Sequence, residues 1–313
     1  MNLIDILYDL NARVEKDDSL LEKLQINRII RLCVRTITNT LIPVWLKKSR
    51  HTLTSTSQVP ITVSLTSFPK RINTVWMTIE TMLRQQSKPQ SIVLWLSKDQ
   101  FPNELLDLPD LLIDQSKRGL SIRFVDGDIR SYKKFYYIFS ESKEGLVLTI
   151  DDDLLFPSYF LNSIYNCHKE HPKSVIASFG FPYVWNDESD HIKTADKKII
   201  IGEPHDSYFF GSGGGTLFNT EITKYMDSIE TILNLCPTAD DIYLNALAQI
   251  NGYKVTFHMN NPLLSVVVKD DSKLVDHNGG ITDANSKNAE QMKALRKYYW
   301  EKYHFEPFKS INQ

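Results

Sequence analysis

Leu146-Val-Leu-Thr-Ile150 runs without a break into Asp151-Asp152-Asp153, and this junction is the feature from which the fold can be predicted. The five apolar or β-branched residues predict a buried strand. Carboxylates beside a core need a counter-charge, because desolvating an unpaired carboxylate is expensive. Mg²⁺ or Mn²⁺, held by one or two carboxylates and by substrate phosphates, would supply that charge. The alternative is an acidic N-terminus of a helix, where Asp is also favoured.

The segments before this junction alternate between strand and helix patterns. Strands are predicted over residues 61–66, 91–96 and 120–125, and helices over residues 74–86 and 132–140. This order indicates βαβ units and therefore an α/β fold with a mostly parallel sheet. Ligands of such sheets bind outside the carboxyl ends of the strands. Residues 64–67 and 151–153 both follow predicted strands, so one crevice could contain them.

The second half of the chain does not repeat this alternation. Residues 185–207 are polar and are predicted to be an irregular loop region over the site. Residues 285–303 are predicted to form a closing helix whose core face carries Met292, Leu295 and Tyr299.

Bulk composition excludes several classes of protein. The chain has 313 residues, is 42% hydrophobic and 24% charged, and carries a net charge of −2, so nothing indicates nucleic-acid binding. Cys33, Cys167 and Cys236 are far apart, which gives no disulfide framework or cysteine zinc motif and suits a reducing compartment. We expect no signal peptide and no membrane span, hence a cytoplasmic protein.

Residues 1–58 are predicted to form a helical N-terminal extension that ends in a polar linker, residues 51–58, and residues 59–313 the main domain. Residues 26–50 contain no acid. At about 100° per residue, basic and apolar residues of this segment fall on opposite arcs, and Pro43 is expected to break or end the helix. The apolar arc comprises Ile29, Ile30, Cys33, Val34, Ile37 and Leu41, and the basic arc Arg28, Arg31 and Arg35. Such a helix can lie on the inner face of the plasma membrane, or it can pack on the main domain or in a homodimer.

Six segments occur in a characteristic order. They are Val63-Ser-Leu-Thr-Ser-Phe-Pro-Lys-Arg71, Gln90-Ser-Ile-Val-Leu-Trp-Leu-Ser97, Ser131-Tyr-Lys-Lys134, Thr149-Ile-Asp-Asp-Asp-Leu154, Gly211-Ser-Gly-Gly-Gly-Thr216 and Thr238-Ala-Asp-Asp-Ile-Tyr243. Over roughly residues 59–305 the set resembles bacterial nucleotide-sugar glycosyltransferases of the GT-A fold, family 2-like and of the surface-polysaccharide type. The resemblance implies a Rossmann-like, mostly parallel sheet flanked by helices, and a hexosyltransferase-like activity.

The resemblance also implies a metal site. In such enzymes the acids after the strand hold Mn²⁺ or Mg²⁺ on the nucleotide diphosphate, which maps onto Asp151 and Asp153. Asp152 would then touch the ribose or the donor sugar, and His277 is a candidate further ligand. A metal there would stabilise the charge that develops on the leaving diphosphate.

Nucleotide contacts are implied at three further places. The turn after the first strand offers Thr66, Ser67 and Arg71, although a plain strand-to-helix turn explains the same residues. Asp126 would face the base or ribose. The diphosphate would pair with Lys133 or Lys134, and the sequence does not choose between these two lysines.

The glycine-rich segment, residues 211–216, has the wrong spacing for a dinucleotide fingerprint and lacks the lysine of a P-loop. The resemblance implies that Gly213, Gly214 and Gly215 line the pocket for the donor sugar and acceptor. A flexible loop or bulge is the alternative.

Asp240 and Asp241 open a predicted helix over residues 241–250, where the helix dipole alone would favour acids. In inverting enzymes of the resembling family, one carboxylate of the matching pair is the general base for the acceptor hydroxyl. That family commonly has Glu-Asp, whereas this chain has Asp-Asp. We therefore favour Asp241 as the base, with Asp240 as the alternate.

The predicted function is a metal-dependent transfer of a sugar from a nucleotide-diphosphate donor, a UDP-sugar, to a saccharide or lipid-linked saccharide acceptor. Inversion at the sugar and a role in surface-polysaccharide biosynthesis are part of this prediction. A nucleotidyltransferase acting on sugar phosphates is one alternative, disfavoured because residues 66–71 contain no glycine. A non-catalytic scaffold with a sugar-nucleotide fold is another, disfavoured by the intact acids at 151–153 and 240–241.

Overall fold

A computed structural model describes residues 2–16, 26–49, 57–142, 144–259, 263–266 and 279–309. His277 and most of the predicted linker lie outside the described residues. The chain forms two compact units that interleave in sequence. The first comprises Met1–Asp128, Ile150–Tyr165 and Asn261–Asp271, and the second Ile129–Thr149, Asn166–Asn260 and Ser272–Gln313.

The described helices are α1 (Leu3–Lys16), α2 (Ile26–Lys48), α3 (Val75–Leu83), α4 (Asp110–Ser116), α5 (Lys133–Glu141), α6 (Phe160–Glu170), α7 (Ile229–Leu235), α8 (Asp240–Ile250) and α9 (Lys287–Tyr303). Short 3₁₀ turns occupy Glu104–Asp107, Arg130–Tyr132 and Thr220–Tyr225. The strands are β1 (Gln58–Thr66), β2 (Lys88–Ser97), β3 (Leu120–Val125), β4 (Leu146–Ile150), β5 (Leu154–Leu155), β6 (Ser174–Ala177), β7 (Gly180–Asn186), β8 (His191–Thr194), β9 (Tyr208–Phe210), β10 (Gly214–Asn219), β11 (Lys254–Phe257) and β12 (Leu264–Ser265).

In the first unit, β1, β2 and β3 lie side by side and parallel. Val63 is in register with Ile92, and Leu94 with Ile122. These strands are rich in buried β-branched and aliphatic residues, as expected for strands covered on both faces. Helices α3 and α4 lie in the two connections, because a parallel pair requires a crossover. The carboxyl ends of the three strands therefore share one edge.

In the second unit, the strand order is β11-β6-β10-β4. The pair β6 and β11 is parallel, whereas β10 runs antiparallel to β6. A smaller antiparallel sheet has the order β8-β7-β9. Helix α9 closes the unit by burying Met292, Leu295 and Tyr299, as the sequence predicts. The predicted α/β class, with mostly parallel strands flanked by helices and with N-terminal helices, is confirmed.

The segment from residue 185 to 207 is more regular than the sequence predicts. It contains β8, which pairs with β7 so that Trp185 faces Ile192. Both side chains are buried. Two buried apolar residues among many polar ones are enough to fix an antiparallel pair, because alternate residues of a strand share a face.

The prediction that Pro43 breaks or ends the N-terminal helix is wrong, since α2 continues through Pro43 to Lys48. The end of the helix is held by tertiary contacts: Ile42 and Leu46 are fully buried, and Arg84 donates to the Leu46 carbonyl over 2.8 Å and to the Ser49 hydroxyl. These contacts outweigh the local cost of proline.

The predicted apolar arc of α2 coincides only in part with the face that packs against the protein. The buried residues of the helix include Val34, Thr38, Ile42 and Leu46, whereas Ile29, Cys33 and Leu41 of the predicted arc are exposed. Helical periodicity defines a face, but the neighbouring elements decide which face they cover.

Candidate functional site

In the first unit, the turn after β1 meets the acids that follow β4. Ser67 donates its hydroxyl proton to Asp152 Oδ2 over 2.5 Å, and Arg71 Nη1 donates to Asp152 Oδ1 over 2.9 Å. The turn after β1 and the acids at 151–153 are therefore in contact, while a shared ligand crevice stays a prediction.

Arg71 supplies counter-charge that the sequence led us to expect from a metal alone. Its Nη1 atom lies 2.9 Å from Oδ2 of Asp153 as well as from Asp152. Burial raises the pKa of Asp152, and the hydrogen bond from Ser67 together with the charge of Arg71 offsets only part of that rise. Asp152 is therefore a buried carboxylate, with 7% of its side chain exposed, that holds Ser67 and Arg71 together by hydrogen bonds.

Asp151 and Asp153 differ from Asp152 in remaining half-buried. Among the described residues, no group of three or more His, Cys, Asp or Glu side chains is arranged to hold a metal ion. Two accessible carboxylates nevertheless suit Mg²⁺ or Mn²⁺, which commonly take one or two carboxylates and complete their shell with phosphate oxygens and water. The donor set at residues 151 and 153 fits a metal that arrives with a diphosphate.

The other residues predicted to contact the nucleotide make contacts with protein. Thr66 donates to the carbonyl of Trp95 on β2 over 2.8 Å. Asp126, which is almost fully exposed, pairs with Lys98 at 2.9 Å. An exposed pair of this kind adds little to stability, so Asp126 remains accessible. Its nucleotide contact stays a prediction, as does that of Thr66.

In the second unit, Lys134 on α5 meets Asp240 at the start of α8. The Nζ atom of Lys134 lies 2.9 Å from Asp240 Oδ2, with 5% and 13% of the two side chains exposed. Two hydroxyls also donate hydrogen bonds to the Asp240 carboxylate: Ser131 donates to Oδ1 over 3.1 Å and Ser212 to Oδ2 over 3.0 Å. Although burial raises the pKa of Asp240, the charge of Lys134 and these hydrogen bonds bring it below its usual value. Asp240 is therefore ionised at neutral pH.

Asp241 lies beside this charged pair and titrates differently. Burial, together with the negative charge of Asp240, raises the pKa of Asp241 to about 6. Lys134 and Ser212 act in the opposite direction, and the backbone amide of Ser212 donates to Asp241 Oδ1 over 2.7 Å. A carboxylate with a pKa near the operating pH has the property that a general base requires.

Aromatic packing holds α5 in position against α8. Tyr132 is fully buried and its hydroxyl donates to the carbonyl of Cys236. Phe135 stacks on Tyr243, with ring centroids 6.2 Å apart. These contacts fix the helix that carries Lys134 relative to the helix that begins at Asp240.

The glycine-rich segment forms a turn that leads into β10. Gly215 has φ +91°, a left-handed conformation that favours glycine. A Cβ on Gly214 would lie 2.8 Å from Cβ of Phe179, so this position has no room for a side chain. Gly213 is buried in the same turn. The segment thus places Ser212 between Asp240 and Asp241, while the predicted sugar contacts of its glycines stay untested.

The structure separates the two lysines that the sequence left as alternatives. Lys134 pairs with Asp240, and both lysines are buried, with 4% of Lys134 and 2% of Lys133 exposed. The diphosphate contact predicted for one of them stays a prediction. Ser131 and Ser212 were not singled out by sequence reasoning. The sequence could have indicated them, because both lie inside motifs that were quoted for other residues. Ser131 lies just before the two lysines, and Ser212 lies within the glycine-rich segment.

No protein-family model and no curated protein matches the chain. Solved structures do match. The mannosyltransferase PcManGT from Pyrobaculum calidifontis, in complex with GDP-Man and Mn²⁺, has a TM-score of 0.46 and 12% identity, and the match covers 88% of this chain and 82% of that one. TarS 1–349 of S. aureus has the same TM-score and identity over 79% and 73% of the two chains. Its complex with UDP-GlcNAc has a TM-score of 0.45 and 11% identity, over 79% and 74%. We infer no activity or ligand from similarity at this level.

Proposed function

We propose that the chain is a glycosyltransferase that moves a sugar from a nucleotide-diphosphate donor, a UDP-sugar, to the hydroxyl of a saccharide or lipid-linked saccharide. The observation that carries the proposal is Asp241, a half-buried carboxylate whose pKa is about 6, fixed beside the ionised pair of Lys134 and Asp240. The ordered motifs of the sequence support the same class of reaction.

In the proposed mechanism, Asp241 removes the proton of the acceptor hydroxyl. Its Oδ1 atom accepts a hydrogen bond from the Ser212 amide, so Oδ2 is the atom to which we assign the proton. The acceptor oxygen attacks the anomeric carbon of the donor while the bond from that carbon to the diphosphate breaks. A single displacement inverts the configuration at that carbon and releases the nucleoside diphosphate.

Asp240 has a supporting role in this mechanism. Its charge is neutralised by Lys134 and by the hydroxyls of Ser131 and Ser212. It raises the pKa of Asp241 through its negative charge, so that Asp241 is basic enough to accept a proton yet ionised above pH 6. We assign the base to Asp241 and a tuning role to Asp240.

The first unit would bind the donor diphosphate. Asp151 and Asp153 are the carboxylates that would hold Mn²⁺ or Mg²⁺, and the metal would stabilise negative charge on the leaving diphosphate. Arg71, fixed between Asp152 and Asp153, adds a guanidinium at the same place and can donate two parallel hydrogen bonds to phosphate oxygens. Thr66, Ser67 and Asp126 are the proposed nucleotide contacts.

The resemblance of the sequence motifs favours surface-polysaccharide biosynthesis as the setting. Growing polysaccharides offer sugar hydroxyls as acceptors, which is the group that Asp241 would deprotonate. The proposal covers the reaction class and this setting, with the identity of the transferred sugar open to assay.

The experiment that tests the proposal is a screen of donor hydrolysis and transfer with UDP- and GDP-sugars, each in Mn²⁺, Mg²⁺ or EDTA. Thermal unfolding in the same conditions reports binding, because a ligand of the folded state raises the midpoint. We expect metal-dependent binding of one nucleotide-sugar and release of its nucleoside diphosphate.

Three other outcomes would contradict the proposal. Release of pyrophosphate from a nucleoside triphosphate and a sugar phosphate would identify a nucleotidyltransferase. Tight nucleotide binding without turnover on any acceptor would identify a non-catalytic scaffold. A folded protein that binds no nucleotide would leave the acids with structural roles alone.

A further inference from the structure

The ring of Phe179 is exposed beside the glycine-rich turn of the second unit. The residue lies between β6 and β7, and 56% of its surface is accessible. A single exposed apolar side chain is ordinary on a protein surface and does not by itself indicate a binding site. Phe179 differs in two respects: the backbone around it is fixed, and the turn against which it packs also contacts Asp241.

Two glycines allow the turn to pack against Phe179. A Cβ on Gly211 would lie 3.0 Å from Cδ1 of the ring, and a Cβ on Gly214 would lie 2.8 Å from Cβ of Phe179. Carbon atoms pack best at about 3.5–4.0 Å, so a side chain at either glycine would displace the phenylalanine. The amide of Gly211 also donates to the Phe179 carbonyl over 3.0 Å. The close contact between the ring and the turn therefore depends on glycine at both positions.

The backbone on both sides of Phe179 is held in place. Before it, the hydroxyl of Ser178 donates to the Gly215 carbonyl over 2.7 Å and lies 2.8 Å from Nε2 of the buried His258. After it, a Cβ on Gly180 would overlap main-chain atoms of the neighbouring strand β9, so the start of β7 lies in close contact with that strand. Because the backbone is already ordered, a ligand that binds at the ring pays little to immobilise it.

The same turn positions the proposed base. Ser212 follows Gly211 directly, and its amide donates to Asp241 Oδ1 over 2.7 Å. The ring of Phe179 therefore contacts one residue of the turn and the carboxylate contacts the next, and the Cα atoms of such neighbours are about 3.8 Å apart. A sugar whose hydroxyl is hydrogen-bonded to Asp241 would have its own ring beside Phe179.

We propose that Phe179 binds the acceptor sugar by stacking, and that the acceptor is a pyranoside with one ring face that carries only C–H groups. The face of an aromatic ring is electron-rich, and it attracts the C–H groups of a sugar because the adjacent oxygens polarise them. Phenylalanine offers no polar atom, so an axial hydroxyl placed on the ring would lose its hydration without gaining a partner. This assignment rests on the proposed function, because the role of Asp241 as base identifies the stacked sugar as the acceptor.

The test is saturation-transfer NMR of the full chain with two methyl glycosides as probes. In methyl β-glucopyranoside every substituent is equatorial, so both ring faces carry only C–H groups. Methyl α-mannopyranoside has an axial oxygen on each face. We expect saturation of the ring protons of the glucoside, and a dissociation constant for the mannoside that is at least about fivefold higher.

Substitutions of Phe179 separate stacking from apolar contact. Phe179→Ala should raise the dissociation constant of methyl β-glucopyranoside about tenfold, because it removes both the aromatic face and the apolar area. Phe179→Tyr should bind as the natural chain does, whereas Phe179→Leu should not. The matched control is Trp300→Ala, which removes another aromatic side chain of the same unit, 53% exposed, and should leave binding unchanged. Thermal unfolding of every variant checks that it folds.

A separate measurement tests whether Phe179 acts through the turn instead. The pH dependence of UDP-sugar hydrolysis reports the pKa of Asp241, which is about 6. In Phe179→Ala the acidic limb of this profile should stay in place, because the Ser212 amide still donates to Asp241. A shifted limb with unchanged glucoside binding would make Phe179 a structural support of the turn and would overturn the proposal.

The outcomes also separate this proposal from the proposed function. Donor hydrolysis by a chain that does not bind the glucoside, or that binds both glycosides equally, would overturn the stacking proposal alone. Weaker binding of UDP by Phe179→Ala, with glucoside binding unchanged, would assign the ring to a nucleobase and overturn it as well. Glucoside binding that depends on Phe179, in a chain that hydrolyses no UDP-sugar, would support the saccharide site and overturn the proposed function.

Discussion

The ammonium of Lys134 lies 2.9 Å from Oδ2 of Asp240, and both side chains are largely buried. This pair gives two adjacent aspartates opposite titration behaviour: the pKa of Asp240 is lowered and that of Asp241 is raised to about 6. Neighbouring carboxylates with separated pKa values are a common arrangement in catalytic sites.

The first prediction concerns the pH dependence of transfer. Asp241 must lose its proton to act as a base, so kcat/KM should rise with pH through an apparent pKa near 6. Lys134 lowers the pKa of Asp241 by its charge. Lys134→Met should therefore move the acidic limb of the profile to higher pH, whereas Lys134→Arg should leave it close to that of the natural chain. An unmoved limb in the methionine variant would show that Lys134 does not tune the base.

The second prediction is that Asp241→Asn abolishes transfer while donor binding remains. The amide cannot accept the proton of the acceptor, and loss of a general base costs about 10²–10⁴-fold in rate. Initial rates of transfer and nucleotide affinity should be measured on the same preparation. Asp206→Asn, at an exposed aspartate of the same unit, is the control. Transfer at the natural rate would move the base to another residue.

The third prediction is that the same Asp241→Asn variant unfolds less readily at neutral pH. The native pKa of about 6 exceeds the usual 3.8, so the folded state binds the proton more tightly than the unfolded chain does. The corresponding stability is present below about pH 4 and is lost as the pH rises through 6. The free energy of unfolding at pH 7.5 should increase by roughly 1–3 kcal/mol in the variant. Urea unfolding of the natural chain and the variant at pH 7.5 and at pH 4 checks this. An equal gain in the free energy of unfolding at pH 4 would contradict the prediction.

The fourth prediction separates metal binding from structure among the three acids. Asp153→Ala should remove metal-dependent binding of the donor and leave the fold intact, because Asp153 is half-buried. Asp152→Ala should mainly destabilise the protein, by about 1.5–3 kcal/mol, because it removes the buried carboxylate to which Ser67 and Arg71 donate, although Arg71 keeps its pair with Asp153. Calorimetry of the UDP-sugar with and without Mn²⁺, together with unfolding curves, distinguishes the two effects. Unchanged donor affinity of the Asp153 variant in Mn²⁺ would refute the metal assignment.

The fifth prediction concerns Glu80, which has no exposed side-chain surface and pairs with Arg84 and Arg118 at 2.7 and 2.8 Å. Burial raises its pKa, but hydrogen bonds from Arg118, Gln115 and Arg84 together bring the value below the usual 4.5. Its stabilising effect is therefore present above pH 4.5 and is lost as the pH falls through the lower native value. Glu80→Gln should cost about 3–5 kcal/mol at pH 7 and less at pH 3. Asp114→Asn, in an exposed pair with Lys117, should cost under about 1 kcal/mol.

Several elements could be predicted because their signals are local. The strand at residues 146–150 has the predicted bounds, and α9 buries the predicted Met292, Leu295 and Tyr299. Apolar runs and helical spacing are properties of a short segment, so the sequence contains them in full. The hairpin of β7 and β8 was missed because Trp185 and Ile192 are paired by tertiary packing within a polar stretch.

Helix α2 shows that helical periodicity alone does not predict which face of a helix is buried. The apolar arc was visible in the sequence, yet half of its residues are exposed, because the first unit contacts a face that includes Thr38 and only Val34 of the arc is buried there. Pro43 likewise fails to end the helix, since Arg84 and the buried Leu46 hold the last turns in place.

The sequence by itself determined the α/β order of strands and helices, the three acids after β4 and the acidic pair that opens α8. These follow from hydrophobic period and motif order. Only the tertiary structure decided that Arg71 and Ser67 donate hydrogen bonds to Asp152. The same is true of the contacts that Asp240 makes with Ser131, Ser212 and Lys134. The physical reason is that desolvation and charge pairing depend on distances between segments remote in sequence, and those distances set which carboxylate is neutralised and which remains able to accept a proton.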